Sequence, residues 1–386
     1  MRYAPVSSRP LSLSAVLIPA LAHIADYKQV ILQLPPANLL RSTFRESITT
    51  SLEESLPALA LGSFARVRSV NDLPPPSTTI SSATPPAVPA TAQVHRRSSI
   101  TGHSCQVLGV AVSANGELAV SGGYDHTAIV WNLRTEQSQV TFTEHSSFVT
   151  CVALFPDGER AVSGSKDKTL YVWSISSGEV LHILSGHRAC VRGVAVSPDG
   201  RTVASAGQDN CAKMWDGDQG VHIHTLDKHG GQVHSVAFSP DGETLATGCS
   251  DGMIRLWRAR DGELERTLMN DSKPINGVAF TPGGQRLVSA SGEKSVKIWS
   301  GFRTEHEMTL AEHTAQVNCV AVFPDGDRIA SGSRDNTIQV WNLRTGALEH
   351  TLRGHSNSVN SIAVSADGRT LVSGGEDEAI VVWELS

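Results

Sequence analysis

From residue 93 to residue 386, short apolar runs alternate with clusters of turn-forming residues. Residues 177–218 show the pattern in full. Val180, His182 and Leu184 form a short alternating run, and Val191 to Val196 is apolar-rich. Ser197-Pro198-Asp199-Gly200 reads as a turn, Arg201 to Ser205 as a strand, Gly207-Gln208-Asp209-Asn210 as a second turn and Cys211 to Trp215 as a strand. Asp-Gly between apolar runs is a hairpin signal, because glycine accepts positive φ and the aspartate side chain caps the turn. Equivalent turns stand at Asn115-Gly116, Asp157-Gly158, Asp241-Gly242, Asp325-Gly326 and Asp367-Gly368. No segment of this region has helical periodicity over about 11 residues. The pattern predicts an all-β array of four short strands per unit.

The units repeat with one period. Trp131, Trp173, Trp215, Trp257, Trp299, Trp341 and Trp383 are each 42 residues apart. Ser or Thr stands ten before each tryptophan (Ser121, Ser163, Ser205, Thr247, Ser289, Ser331, Ser373) and an acid six before (Asp125, Asp167, Asp209, Asp251, Glu293, Asp335, Asp377). His stands 28 before, at His103, His145, His187, His229, His313 and His355, with Asp271 in the fifth place. Seven units follow without insertion: 93–134, 135–176, 177–218, 219–260, 261–302, 303–344 and 345–386.

This spacing resembles the WD-repeat family over residues 93–386. Gly-His occurs only at Gly102-His103, Gly186-His187 and Gly354-His355, and Trp-Asp only at Trp215-Asp216. The resemblance implies a seven-bladed β-propeller of four-stranded antiparallel blades. It also implies that the recurring residues are buried hydrogen-bond chains, Asp to His, His to Ser/Thr, hydroxyl to indole. A Ser/His/Asp set present in six units is expected to be structural, since a nucleophilic triad is needed only once. In the fifth unit Gly283-Gly284 replaces Asp-Gly, and Asp271 and Glu293 would crowd two acids together with Lys273 and Lys294 nearby in sequence; a loosened, more exposed turn is expected, with a metal or acid/base site as the alternative. After Trp383 too little chain remains for an outer strand, so the last blade must borrow Val94 to Ile100, a weakly apolar seam.

The resemblance places three variable positions on one channel mouth. Three after His stand Gln106, Phe148, Cys190, Gln232, Pro274, Gln316 and Ser358; five after stand Leu108, Thr150, Arg192, His234, Asn276, Asn318 and Asn360. Before each turn acid stand Tyr124, Lys166, Gln208, Ser250, Gly292, Arg334 and Glu376. Blade packing is not expected to dictate them. The aromatic and cationic members are the types that anchor interfaces. A contact centred on the first three blades, biased toward an acidic partner, is expected through Gln106, Leu108, Tyr124, Phe148, Thr150, Lys166, Arg192, Gln208, His234, Asn318, Arg334, Asn360 and Glu376.

Upstream, residues 74–92 are a Pro/Ser/Thr-rich linker by composition. Residues 1–73 form an N-terminal segment in which Leu40, Phe44, Ile48, Leu52 and Leu56 predict an amphipathic helix behind Asn38. Arg2 and Arg9, the apolar Leu11 to Ile18 and Ala20-Leu21-Ala22 suit a signal or transit peptide, 1–22, whereas Pro19 and the stretch to Leu34 suit a helical arm.

Composition narrows the function. Lys and Arg total 32 against 38 Asp and Glu, a net charge of −6, which argues against nucleic acid as a partner. No apolar run reaches the length of a membrane span. The six cysteines (Cys105, Cys151, Cys190, Cys211, Cys249, Cys319) have neither metal-site spacing nor the density of a disulfide framework. No cofactor, metal or catalysis is expected. The expected role is a non-catalytic scaffold or adaptor in the cytoplasm, or in an organelle or outside the cell if 1–22 is cleaved. Two narrower alternatives exist. Trp131-Asn132-Leu133-Arg134 and Trp341-Asn342-Leu343-Arg344 resemble the Trp-Asp-x-Arg element of substrate receptors in cullin-RING ubiquitin ligases, with Asn in place of Asp. The uniform 42-residue units also resemble the repeat arrays of signalling NTPases.

Overall fold

A computed structural model describes residues 94–269, 272–301 and 305–385. The readings made for residues 1–93 and for Asp271 fall outside the described residues. Within them, 28 strands form seven antiparallel four-stranded sheets. Blades 1 to 6 span 107–142, 149–185, 191–226, 233–269, 275–310 and 317–353. Each blade begins one strand later than the 42-residue unit, so a unit contributes its first strand to the preceding blade.

Blade 7 is made of Val359–Val364, Thr370–Gly375, Ile380–Leu385 and, from the other end of the chain, Val94–Ile100. The borrowed strand runs antiparallel to Ile380–Leu385, from Val94 opposite Leu385 to Ile100 opposite Ile380, with a bulge between Arg96 and Ser98. Ile100 is buried in the cluster that holds Trp131 and Val382, so the seam joins blade 7 to blade 1 through packing as well as backbone pairing. The Ser98 hydroxyl is buried with no hydrogen-bond partner, which fits the weak apolarity of this strand.

The hairpin turns follow their sequence signals. Gly200 has φ 73°, a value a side chain would strain, while the Asp199 carboxylate accepts from the Ser197 hydroxyl at 2.6 Å and from the Arg201 amide at 3.1 Å. In the fifth unit Gly284 adopts φ 69° and closes the same turn on Thr281 as in the other units, whereas at the opposite turn Glu293 is exposed where the six aspartates at this repeat position are half-buried. The core lies between blades. Trp173, for example, packs with Val120, Ala128 and Val130 of blade 1. All seven indoles are buried, none more than 3% exposed.

Candidate functional site

Five units carry the full hydrogen-bond chain. In blade 1 the His103 Nδ1 lies 2.8 Å from Asp125, its Nε2 2.7 Å from the Ser121 hydroxyl, and the Trp131 indole donates to that hydroxyl at 2.7 Å. Blades 2, 3, 6 and 7 repeat this through His145/Asp167/Ser163/Trp173, His187/Asp209/Ser205/Trp215, His313/Asp335/Ser331/Trp341 and His355/Asp377/Ser373/Trp383. A carboxylate accepting at Nδ1 fixes the tautomer, so Nε2 accepts from the hydroxyl and each buried polar atom is matched. Burial alone would raise the carboxyls of Asp125, Asp167, Asp209 and Asp335. Hydrogen bonds and the facing imidazoles outweigh it and hold them below the usual range.

Blade 4 departs from the expected chain. His229 still meets Thr247 at 2.9 Å, and Trp257 donates to Thr247 at 3.0 Å. Asp251, however, is taken by the Arg255 guanidinium at 2.8 Å, and His229 Nδ1 is buried without a partner. The expected Asp251–His229 bond is therefore absent. Burial first, then the charge of Arg255, pushes the His229 pKa down to about 4. Two residues before tryptophan the other described blades carry Ile129, Tyr171, Lys213, Lys297, Gln339 and Val381, so only here does a guanidinium compete. In blade 5 the Trp299 indole meets Ser289 at 3.0 Å, and Glu293 accepts from the Ser272 hydroxyl at 3.2 Å.

His187, Asp209 and Cys211 bring potential metal-ligand atoms within 4.8 Å of one another. Both His187 nitrogens are engaged by Asp209 and Ser205, and the thiol bonds Asp209 where Thr127, Thr169 and Thr337 use a hydroxyl. Burial and Asp209 push the Cys211 pKa up to about 12, which works against the thiolate a metal requires. Cys211 is thus a threonine substitute in the hydrogen-bond chain.

The variable positions meet at one mouth of the channel through a bond repeated in all seven blades. The amide before each turn acid donates to the carbonyl three residues after the His position: Tyr124 to Gln106, Lys166 to Phe148, Gln208 to Cys190, Ser250 to Gln232, Gly292 to Pro274, Arg334 to Gln316 and Glu376 to Ser358. At blades 1 and 2 the side chains build a platform. Tyr124 stacks on Phe148 with centroids 3.4 Å apart, His126 leans on Phe148 at 5.4 Å, and the Lys166 ammonium lies 4.5 Å above the Phe148 ring. Tyr124 is 41% exposed, and Lys166 and Arg192 are exposed. Burial raises the pKa of the Cys190 thiol, and the charges of Arg192 and Lys166 lower it in part.

Three residues expected on this surface are committed elsewhere. Asn318 donates to the Val359 carbonyl and Asn360 to the Val107 carbonyl, each at 2.9 Å, and the Thr150 hydroxyl donates to the Val191 carbonyl. Each ties its blade to the next. Asn276 does the same to Val317 at 2.7 Å and lies 3.5 Å from His234. The positions five after His are therefore half-buried ties, except at Leu108 and Arg192. Arg255, which matters to these networks, escaped sequence reasoning, and the rarity of an arginine at its repeat position was the one available signal; Asn276 was placed among the variable positions but not read as a tie.

On the opposite mouth, Arg134 pairs with Glu117 at 2.9 Å and Arg344 with Asp327 at 2.7 Å, both highly exposed. Exposed pairs of this kind contribute little and exchange readily.

Family comparisons agree with the architecture. The model described as WD domain, G-beta repeat, matches residues 95–132, 304–342 and 346–384. The model described as IFT122 first beta-propeller matches residues 148–308. A comparison with curated proteins found no match.

Proposed function

This chain belongs to the WD-repeat β-propeller family, and we propose that it is a non-catalytic scaffold that binds a protein or peptide on the channel mouth of blades 1 to 3. The observation that carries this reading is the Tyr124–Phe148 stack with Lys166 on its face, and the exposed Arg192 in the next blade adds a second cation. An exposed tyrosine held rigid on a half-buried phenylalanine offers apolar area with little rotamer entropy to lose, and an adjacent cation favours an acidic partner. The recurrent His/Ser/Asp sets support the absence of catalysis, because they are consumed in bonding the indoles.

No helix among the described residues is long and apolar enough to cross a membrane. All six cysteines are free, which supports a reducing, cytoplasmic setting. Sequencing the N-terminus of native protein checks this: an intact Met1 agrees, and a start at His23 contradicts it.

Affinity capture with wild type and with the triple variant Phe148→Ala, Lys166→Ala, Arg192→Ala tests the placement. The triple variant should lose the main partner by about 2 kcal/mol or more, at an unchanged melting temperature. Retention by the triple variant, with loss in an Arg134→Ala, Arg344→Ala variant of the opposite mouth, contradicts it.

A further inference from the structure

The charges on this mouth are sorted by blade. The turn joining the second and third strands carries Glu376 and Glu378 in blade 7, Tyr124 and His126 in blade 1, and Lys166 and Lys168 in blade 2. Arg192 extends the positive end into blade 3. The repeated amide-to-carbonyl bond sets Glu376 and Lys166 at equivalent places, each 2.9 Å from its acceptor. Among the described residues, no ion pair neutralises Glu376, Glu378, Lys166, Lys168 or Arg192. Arg334 stands beyond the acids, in blade 6, outside this arc.

Blades 7, 1, 2 and 3 are consecutive around the ring. Blade 7 touches blade 1 through the Asn360 to Val107 bond, and blade 2 touches blade 3 through Thr150 to Val191. Travelling along this arc, a ligand meets two acids, then the aromatic stack, then three cations. The face of Phe148 is already covered by Lys166, so the platform is not free to accept a ligand cation there. A positive group on the ligand is directed instead to Glu376 and Glu378.

We propose that the ligand is a charge-ordered extended segment, with basic residues over blade 7, an apolar residue on the Tyr124–Phe148 stack and acidic residues over blades 2 and 3. This rests on the binding reading above and sharpens it from an acidic partner to a segment with charge blocks of both signs. Complementary potential fixes the direction of docking, because a reversed segment meets like charge at both ends.

Selection of a displayed library of random twelve-residue peptides on the full chain tests the proposal. Wild type should enrich peptides with a basic block, a central apolar residue and an acidic block, at least tenfold over charge-scrambled peptides of the same composition. Glu376→Lys with Glu378→Lys should abolish the basic block and keep the acidic one, and the Phe148, Lys166 and Arg192 triple variant should abolish enrichment. Melting temperatures equal to wild type exclude misfolding in both variants. Enriched peptides that are acidic throughout, and unaffected by the blade 7 changes, overturn the charge order while leaving the binding surface intact. Enrichment that survives the triple variant, or none on wild type, overturns both.

Discussion

The two halves of the channel mouth use the same repeat positions for opposite ends. In blades 5 to 7, Asn276, Asn318 and Asn360 spend their amides on the first core carbonyl of the next blade. On the other side only blade 2 is tied in this way, by Thr150 to Val191, while blades 1 and 3 hold Leu108, which has no polar group to give, and Arg192, which is exposed. The aromatic stack and its cation sit on this second side. A closed ring needs ties between blades, but not at every joint, because the buried indoles and backbone ladders already hold each sheet. The comparison teaches that variation at a repeat position marks recognition only where the side chain is not already bonded within the ring.

The largest expected effect breaks the tied half altogether. Removing residues 1–101 deletes the outer strand Val94–Ile100 of blade 7 and exposes the edge of Ile380–Leu385. Aggregation or loss of a cooperative melt should follow. Removing residues 1–74 leaves the strand in place and should preserve the melt. Calorimetry on the two truncations checks this, and equal stability would contradict closure through the seam.

A smaller effect is expected from Asn276→Ala, Asn318→Ala and Asn360→Ala combined. Each leaves a half-buried carbonyl without its donor, at about 1 kcal/mol apiece. The melting temperature should fall by about 5 °C, measured by calorimetry, with partner capture retained.

Blade 4 stands at the border of the halves and shows a pH effect smaller still. His229 is held neutral, with its pKa down at about 4 against an ordinary value near 6.5. Its folded pKa is depressed, so the unfolded chain binds the extra proton first. The stability it contributes is full above about pH 6.5 and is lost as pH falls toward 4. The fall in melting temperature between pH 6.5 and pH 4 should therefore be shallower in His229→Gln than in wild type.

The smallest effect is Arg255→Val. It frees Asp251 to return to His229, as in blade 3, so stability should change by less than about 1 kcal/mol. The His229 titration followed by NMR should move upward.

Much of this architecture is legible in the sequence. The 42-residue tryptophan period locates every blade. The Asp-Gly turns are local chemistry and read directly. What stays hidden is competition between neighbours. The letters His229, Thr247, Asp251 and Trp257 match those of blade 3, yet Arg255 claims the carboxylate. A single strand residue decides this, and nothing in the spacing reveals which of two donors lies nearer. Thr150, Asn318 and Asn360 misled for a similar reason, since a polar side chain looks the same in sequence whether it faces water or a carbonyl of the next blade. Phe148 and Tyr124 were legible because an aromatic stands out among the polar and small residues of the other units.

The most direct test measures both triple variants side by side, for affinity to one library-selected peptide by fluorescence anisotropy and for melting temperature. The Phe148, Lys166 and Arg192 variant should lose about 2 kcal/mol or more of affinity and melt like wild type. The Asn276, Asn318 and Asn360 variant should melt lower and bind like wild type. Affinity lost in the asparagine variant and retained in the other would contradict both expectations.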